Sequence, residues 1–101
     1  MAANAIYVSS ISVWEISLLA DRGRLTLSMD VADWISRAEA MPFFRFVPVD
    51  NTISHRSVRL PGVLHQDPAD RIIVATALTL GMPLVTKDEK LRGYPHLPTV
   101  W

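Results

Sequence analysis

Apolar and polar positions first follow a strand period and then a helix period, which places two elements at the start of the chain. Ala5–Ser9 is a short apolar run rich in β-formers and predicts a strand. A helical pattern follows and ends near Gly23. Ser12 and Glu15 have the spacing of a capping box, so the helix is expected to begin at Ser12.

The middle of the chain continues the alternation between helix and strand. An apolar stripe at helical spacing predicts a helix over Met29–Ala40, with Ser28 as its cap. Phe44–Val49 alternates in the strand pattern, and Pro48 marks the end of that strand or a sheet edge. Asn51–Leu60 is polar and weakly helical.

The clearest helix follows a loop in the second half. Asp67 is a favourable N-cap, Pro68 suits the first helical position, and Asp70 falls in the first turn. Ile72–Leu80 is almost wholly apolar, which predicts a buried helix, and Gly81 is expected to end it.

The last part of the chain completes an α/β pattern. Pro83–Thr86 predicts a short buried strand, Glu89–Tyr94 a helical turn and Pro98–Trp101 an edge strand. Strands that alternate with helices favour a layered α/β fold with a mainly parallel sheet. The 101 residues are expected to form one domain, residues 1–101.

Composition and charge narrow the function classes. The formal net charge is zero, so binding of a nucleic acid would depend on a local patch. The absence of cysteine excludes disulfides and thiolate metal sites. No apolar run approaches the roughly 20 residues of a membrane span, and no signal peptide is recognisable. A cytoplasmic protein is expected.

Three carboxylates are the candidate catalytic and metal-binding residues. Glu15, Asp70 and Asp88 each lie near the carboxyl end of a predicted strand or the start of a helix. In a parallel sheet they would converge, and oxygen-only clusters suit Mg²⁺ or Mn²⁺. Capping, the helix dipole and ordinary turn chemistry are alternative explanations for these three residues.

Other polar side chains flank these carboxylates, and each has a structural alternative. The candidates for substrate binding are His65, Arg71, Thr86 and Lys87. Arg71 would hold a phosphate, neutralise the acidic cluster or form a plain salt bridge. Asp67 is interpreted as a capping residue or as a secondary acidic residue. Trp14, Trp34 and Trp101 are expected in the core or in a dimer interface.

The ordered set of motifs resembles the PIN-domain family, and within it the toxins of the VapC type. The similarity runs from Ala5 to Trp101 and rests on SSISVWEI at residues 9–16, GRL at 23–25, HQDPADR at 65–71, IVATA at 73–77 and PLVTKD at 83–88. The resemblance implies a three-layer α/β/α fold around a mainly parallel sheet. It also implies RNA cleavage that depends on Mg²⁺ or Mn²⁺, with Glu15, Asp70 and Asp88 as the acidic site residues. The expected partners are the RNA substrate, a second copy in a homodimer and a cognate antitoxin whose tail blocks the acidic groove.

The chain differs from the family pattern at its N-terminus. Members of the family open with a strand that ends in an aspartate, whereas only Met1–Asn4 precede the first predicted strand here. A mis-assigned start, a degenerate remnant and completion of the sheet by strand exchange in a dimer are the open alternatives. A second function class follows from them: a non-catalytic module that binds itself or an antitoxin.

Overall fold

The chain divides into two compact units. The computed structural model describes residues 5–101. One unit spans Met1–Pro48 and the other spans Val49–Trp101. The expectation of a single domain over residues 1–101 stays a prediction.

Within residues 5–48, the first unit contains two strands and two helices. In chain order these are β1 (Ile6–Ser9), α1 (Ser10–Asp21), α2 (Val31–Ala40) and β2 (Phe44–Val47). The two strands pair in parallel, from Ile6 opposite Phe44 to Ser9 opposite Val47. Strand β2 ends just before Pro48, which has no N–H group to donate to a neighbouring strand.

Both helix starts in this unit differ from the sequence-based prediction. Helix α1 is capped by Ser9, whose Oγ accepts a hydrogen bond from the Ile11 N–H at 3.2 Å, so the prediction of Ser12 as the cap was wrong. Helix α2 is capped by Asp30 rather than Ser28. In both cases the capping side chain belongs to the residue directly before the helix, and it accepts a hydrogen bond from one of the first backbone N–H groups. Glu15 is therefore the sixth residue of α1, too far along to close a capping box.

The second unit contains three helices and two short strands within its range. They are α3 (Asn51–Val58), α4 (Pro68–Leu80), β3 (Leu84–Val85), α5 (Glu89–Arg92) and β4 (Thr99–Val100). Strands β3 and β4 pair in parallel, with Leu84 opposite Thr99 and Val85 opposite Val100. Helix α3 packs against α4.

Helix α4 forms the centre of this unit, as its apolar sequence predicted. Val74 and Ala75 are completely buried, and Ile53 of α3 is nearly so. Burial of such side chains is worth about 1.5–3 kcal/mol each for residues the size of valine or isoleucine. The predicted burial of the β3 strand was wrong at Val85, which is 66% exposed.

The ends of α4 confirm the predicted signals. The Asp67 side chain caps the helix by accepting a hydrogen bond from the Asp70 N–H at 3.0 Å, and Pro68 is the first helical residue. Gly81 ends the helix in the left-handed region at φ 66°, which glycine adopts without the steric cost of a Cβ atom. The first turn of α4, which carries Asp70, is thus fixed by its own sequence.

The α/β class is confirmed, since helices alternate with strands that pair in parallel. Across residues 5–101 these strands form two two-stranded sheets. In the same range, no helix has the length and apolar character needed to cross a membrane. Trp14 and Trp101 are largely exposed, so their predicted placement in the core was wrong, whereas an interface role stays a prediction.

Candidate active site

The first turn of α4 and the loop before it bring together three residues of the HQDPADR motif. The loop runs from Val58 to Pro68, and hydrogen bonds from Arg71 anchor it to the rest of the unit. The Arg71 guanidinium donates from Nε to the Ser57 carbonyl at 2.9 Å and from Nη1 to the Leu64 carbonyl at 3.0 Å. A longer Nη1 contact of 3.4 Å reaches the His65 carbonyl. Arg71 therefore joins the end of α3, the loop and the start of α4.

The same loop places His65 beside Asp70. His65 Nε2 lies 2.7 Å from Asp70 Oδ2, and both side chains are 25% exposed. An ionised carboxylate can only accept hydrogen bonds, so the imidazole donates. The contact therefore pairs Asp70, a predicted acidic site residue, with His65, a predicted substrate-binding residue.

Two aromatic residues brace the early part of the loop. The Tyr94 hydroxyl donates to the Pro61 carbonyl. Burial raises the pKa of the Tyr94 phenol above its usual value, although the positive charge of Arg71 works in the opposite direction. The phenol is therefore protonated and available as a donor at neutral pH. Gly62, at φ +69°, lies against the His96 ring, and a Cβ atom there would come within 2.6 Å of His96 Nε2.

A cleft of about 300 Å³ opens beside Arg71. Its walls come from the end of α3, the loop and the start of α4: Ser57, Val58, Gln66, Pro68, Arg71 and Ile72. Asp70 is not part of the lining. The cleft and the Asp70 carboxylate are thus separate features of the α4 N-terminal region.

The second predicted carboxylate, Asp88, follows β3. Its Oδ1 accepts a hydrogen bond from the Lys90 N–H at 2.8 Å and caps the short helix α5. The Thr86 hydroxyl accepts from the Asp88 backbone N–H at 3.1 Å, so Thr86 orders the turn through the main chain. Lys87 Nζ lies 5.6 Å from the centroid of the Trp101 ring, a cation–π contact.

The third predicted carboxylate belongs to the other unit. Glu15 lies on α1 and is partly buried, whereas Asp70 and Asp88 lie in Val49–Trp101. Convergence of the three stays a prediction. Residues 5–101 contain no group of three or more His, Asp or Glu side chains that could already hold a metal ion.

The donor chemistry of Asp70 nevertheless fits a hard cation. Carboxylate oxygens are the ligands that Mg²⁺ and Mn²⁺ prefer. His65 engages Oδ2 of Asp70, and no residue within 5–101 donates a hydrogen bond to its Oδ1. In Asp88, Oδ1 is the capping atom and Oδ2 has no donor in the same range. Each of the two side chains therefore retains one carboxylate oxygen without a hydrogen-bond donor in that range.

Comparison with known proteins identifies the family. The PIN domain family matches residues 1–97. The chain belongs to the PIN-domain family. It is also 37% identical over 101 residues to the protein named Ribonuclease VapC22 from Mycobacterium tuberculosis, in an alignment that covers 98% of this chain and 76% of that protein. No solved structure matches the chain significantly.

Membership of the PIN-domain family confirms the resemblance drawn from the ordered motifs and the α/β fold class. The motifs located His65, Asp70 and Arg71, but sequence reasoning missed the carbonyl acceptors of Arg71 and the bracing by Tyr94 and His96. The carbonyl acceptors of Arg71 could not be predicted, because every residue has a backbone carbonyl and no residue type marks the one that is used. Tyr94 and His96, which lie shortly before the last strand, were the available signal for the contacts with the loop.

Proposed function

We propose that the chain is a metal-dependent ribonuclease, the toxin of a toxin–antitoxin pair, with Glu15, Asp70 and Asp88 as its acidic residues. The observation that carries the proposal is the 37% identity to Ribonuclease VapC22 along nearly the whole chain. The retention of one oxygen without a donor on both Asp70 and Asp88, among residues 5–101, supports the assignment of these two.

The residues of the chain have distinct roles in the proposed reaction. Asp70 and Asp88 would offer their remaining oxygens to a divalent cation, and Glu15, which belongs to the first unit, would be the third acidic residue. The cation, Mg²⁺ or Mn²⁺, would lower the pKa of a bound water and neutralise charge that develops on the phosphodiester. Without it, three carboxylates would repel both one another and the RNA backbone.

Positive side chains would hold the RNA on either side of these carboxylates. Lys87 is exposed directly before Asp88, and Arg71 lines the cleft with Gln66. Its Nη2 nitrogen has no acceptor among residues 5–101 and remains for a phosphate. Since the net charge of the chain is zero, these local contacts would provide the attraction to RNA.

The proposed partners follow from the same assignment. A cognate antitoxin would cover the carboxylates, and a second copy of the chain would form a homodimer. The proposed site of action is the cytoplasm, where the chain would meet its RNA substrate.

Glu15→Gln and Asp88→Asn test the shared acidic site, and each is expected to reduce RNA cleavage at least about 100-fold because each removes a charged ligand. Asn is a good N-cap, so Asp88→Asn should leave α5 capped. Glu89→Gln is the matched control, since Glu89 is exposed and adjacent to Asp88. The measurement is the initial rate of cleavage of single-stranded RNA in Mn²⁺.

Full activity of Glu15→Gln would remove Glu15 from the site and contradict a three-carboxylate centre. Equal loss in Glu89→Gln would show that any change near α5 disturbs activity, which would contradict a specific role for Asp88. A folded wild-type chain without cleavage would favour the second function class, a non-catalytic module that binds an antitoxin or itself.

A further inference from the structure

The closest contact between ionisable side chains in the second unit joins His65 to Asp70. His65 Nε2 is 2.7 Å from Asp70 Oδ2, within the range of a charge-assisted hydrogen bond. The contact spans five residues and crosses from the loop to the first turn of α4. It therefore fixes the rotation of the Asp70 carboxylate relative to a helix that is already capped.

The backbone that carries His65 is itself held. Arg71 donates to the carbonyls of Leu64 and His65, and the Leu64 side chain is buried. Both the imidazole and the carboxylate are only 25% exposed, so most of each side chain is shielded from solvent. The His65 imidazole thus lies beside Asp70 on a loop whose main chain is anchored to helix α4 by Arg71.

The orientation of the pair leaves one carboxylate oxygen for another task. Oδ2 is engaged by His65, whereas Oδ1 has no donor among residues 5–101. A ligating carboxylate commonly needs a hydrogen bond of this kind, because a fixed orientation lowers the entropy cost of coordination and sets which oxygen faces the ion. Use of Nε2 in this contact leaves only Nδ1 for the phosphate contact that the sequence suggested.

We propose that His65 is a positioning residue for Asp70: it holds Oδ2 so that Oδ1 is directed to a divalent cation. The inference rests on the proposed function, in which Asp70 is a metal ligand. It assigns His65 a role that acts through Asp70 rather than on the RNA.

The test compares three substitutions of His65 in the full chain, read out as Mn²⁺ affinity from the electron paramagnetic resonance signal of free Mn²⁺. His65→Ala removes the donor and should weaken Mn²⁺ binding roughly 10- to 100-fold. His65→Gln carries an amide nitrogen near the place of Nε2 and should retain binding within a few-fold of wild type. His65→Asn is too short to reach Oδ2 and should behave like His65→Ala. His55→Ala is the matched control, since His55 is exposed on α3.

Thermal unfolding of each variant separates loss of folding from loss of orientation. If His65→Ala fails to fold, the contrast between the Gln and Asn variants carries the test. Equal Mn²⁺ affinity in wild type, His65→Asn and His65→Gln would overturn the inference, as would the absence of Mn²⁺ binding by the wild type. Wild-type Mn²⁺ binding that depends on His65, without RNA cleavage, would uphold the positioning role while the proposed ribonuclease function fails.

Discussion

Asp70→Asn is expected to reduce RNA cleavage at least about 100-fold while the protein remains folded. The substitution removes the negative charge that would hold the cation and keeps the shape of the side chain. A direct ligand should cost more than the roughly 10- to 100-fold typical of residues that only support a ligand. The asparagine carbonyl can still accept the hydrogen bond from His65, so the loop retains its contact.

Asp67→Asn is the matched control for this prediction. Asp67 lies three residues earlier and caps α4, and asparagine caps helices as well as aspartate does. Cleavage rates and circular dichroism are measured for both variants beside wild type. Undiminished cleavage by Asp70→Asn, or an equal loss in Asp67→Asn, would contradict a catalytic role that is specific to Asp70.

Arg71→Ala is expected to lower the free energy of unfolding by roughly 2–3 kcal/mol. The guanidinium donates to three backbone carbonyls, and hydrogen bonds from a charged donor contribute about 1.5–3 kcal/mol each, with losses that are not additive. Arg71→Lys should recover only part of this stability because an ammonium group cannot reproduce the forked geometry.

Urea unfolding of Arg71→Ala and of Arg59→Ala, an exposed arginine at the end of α3, measures this effect. Arg71→Ala should be destabilised and Arg59→Ala should stay within about 0.5 kcal/mol of wild type. The sequence alone left phosphate binding, charge neutralisation and a salt bridge open for Arg71. Unchanged stability with a raised KM for RNA would favour the phosphate contact alone and contradict the structural role.

Local sequence signals predicted the parts of the site that local chemistry determines. The cap at Asp67, the proline that follows it and the glycine that ends α4 each specify backbone geometry within a few residues. The order of the motifs also indicated the family and the α/β class, which the family match confirms.

Contacts between distant residues were not predictable in the same way. Several serine and aspartate residues compete to cap α1 and α2, and the sequence does not rank Ser9 above Ser12 or Asp30 above Ser28. The hydrogen bond from Arg71 to the Ser57 carbonyl joins residues that are fourteen positions apart in the sequence. Its acceptor is a backbone group that every residue type has, so no residue type marks it. Placement of Glu15 near Asp70 and Asp88 depends on two units rather than on one element, so it stays a prediction.

Metal-dependent ribonuclease activity is measured as the rate at which the purified 101-residue chain cleaves single-stranded RNA, with Mn²⁺ and with excess EDTA. Cleavage is expected in Mn²⁺, and it should be abolished by EDTA and restored by added Mn²⁺. Cleavage that continues undiminished in EDTA, or a folded chain that leaves RNA intact at every Mn²⁺ concentration, would contradict the proposed function.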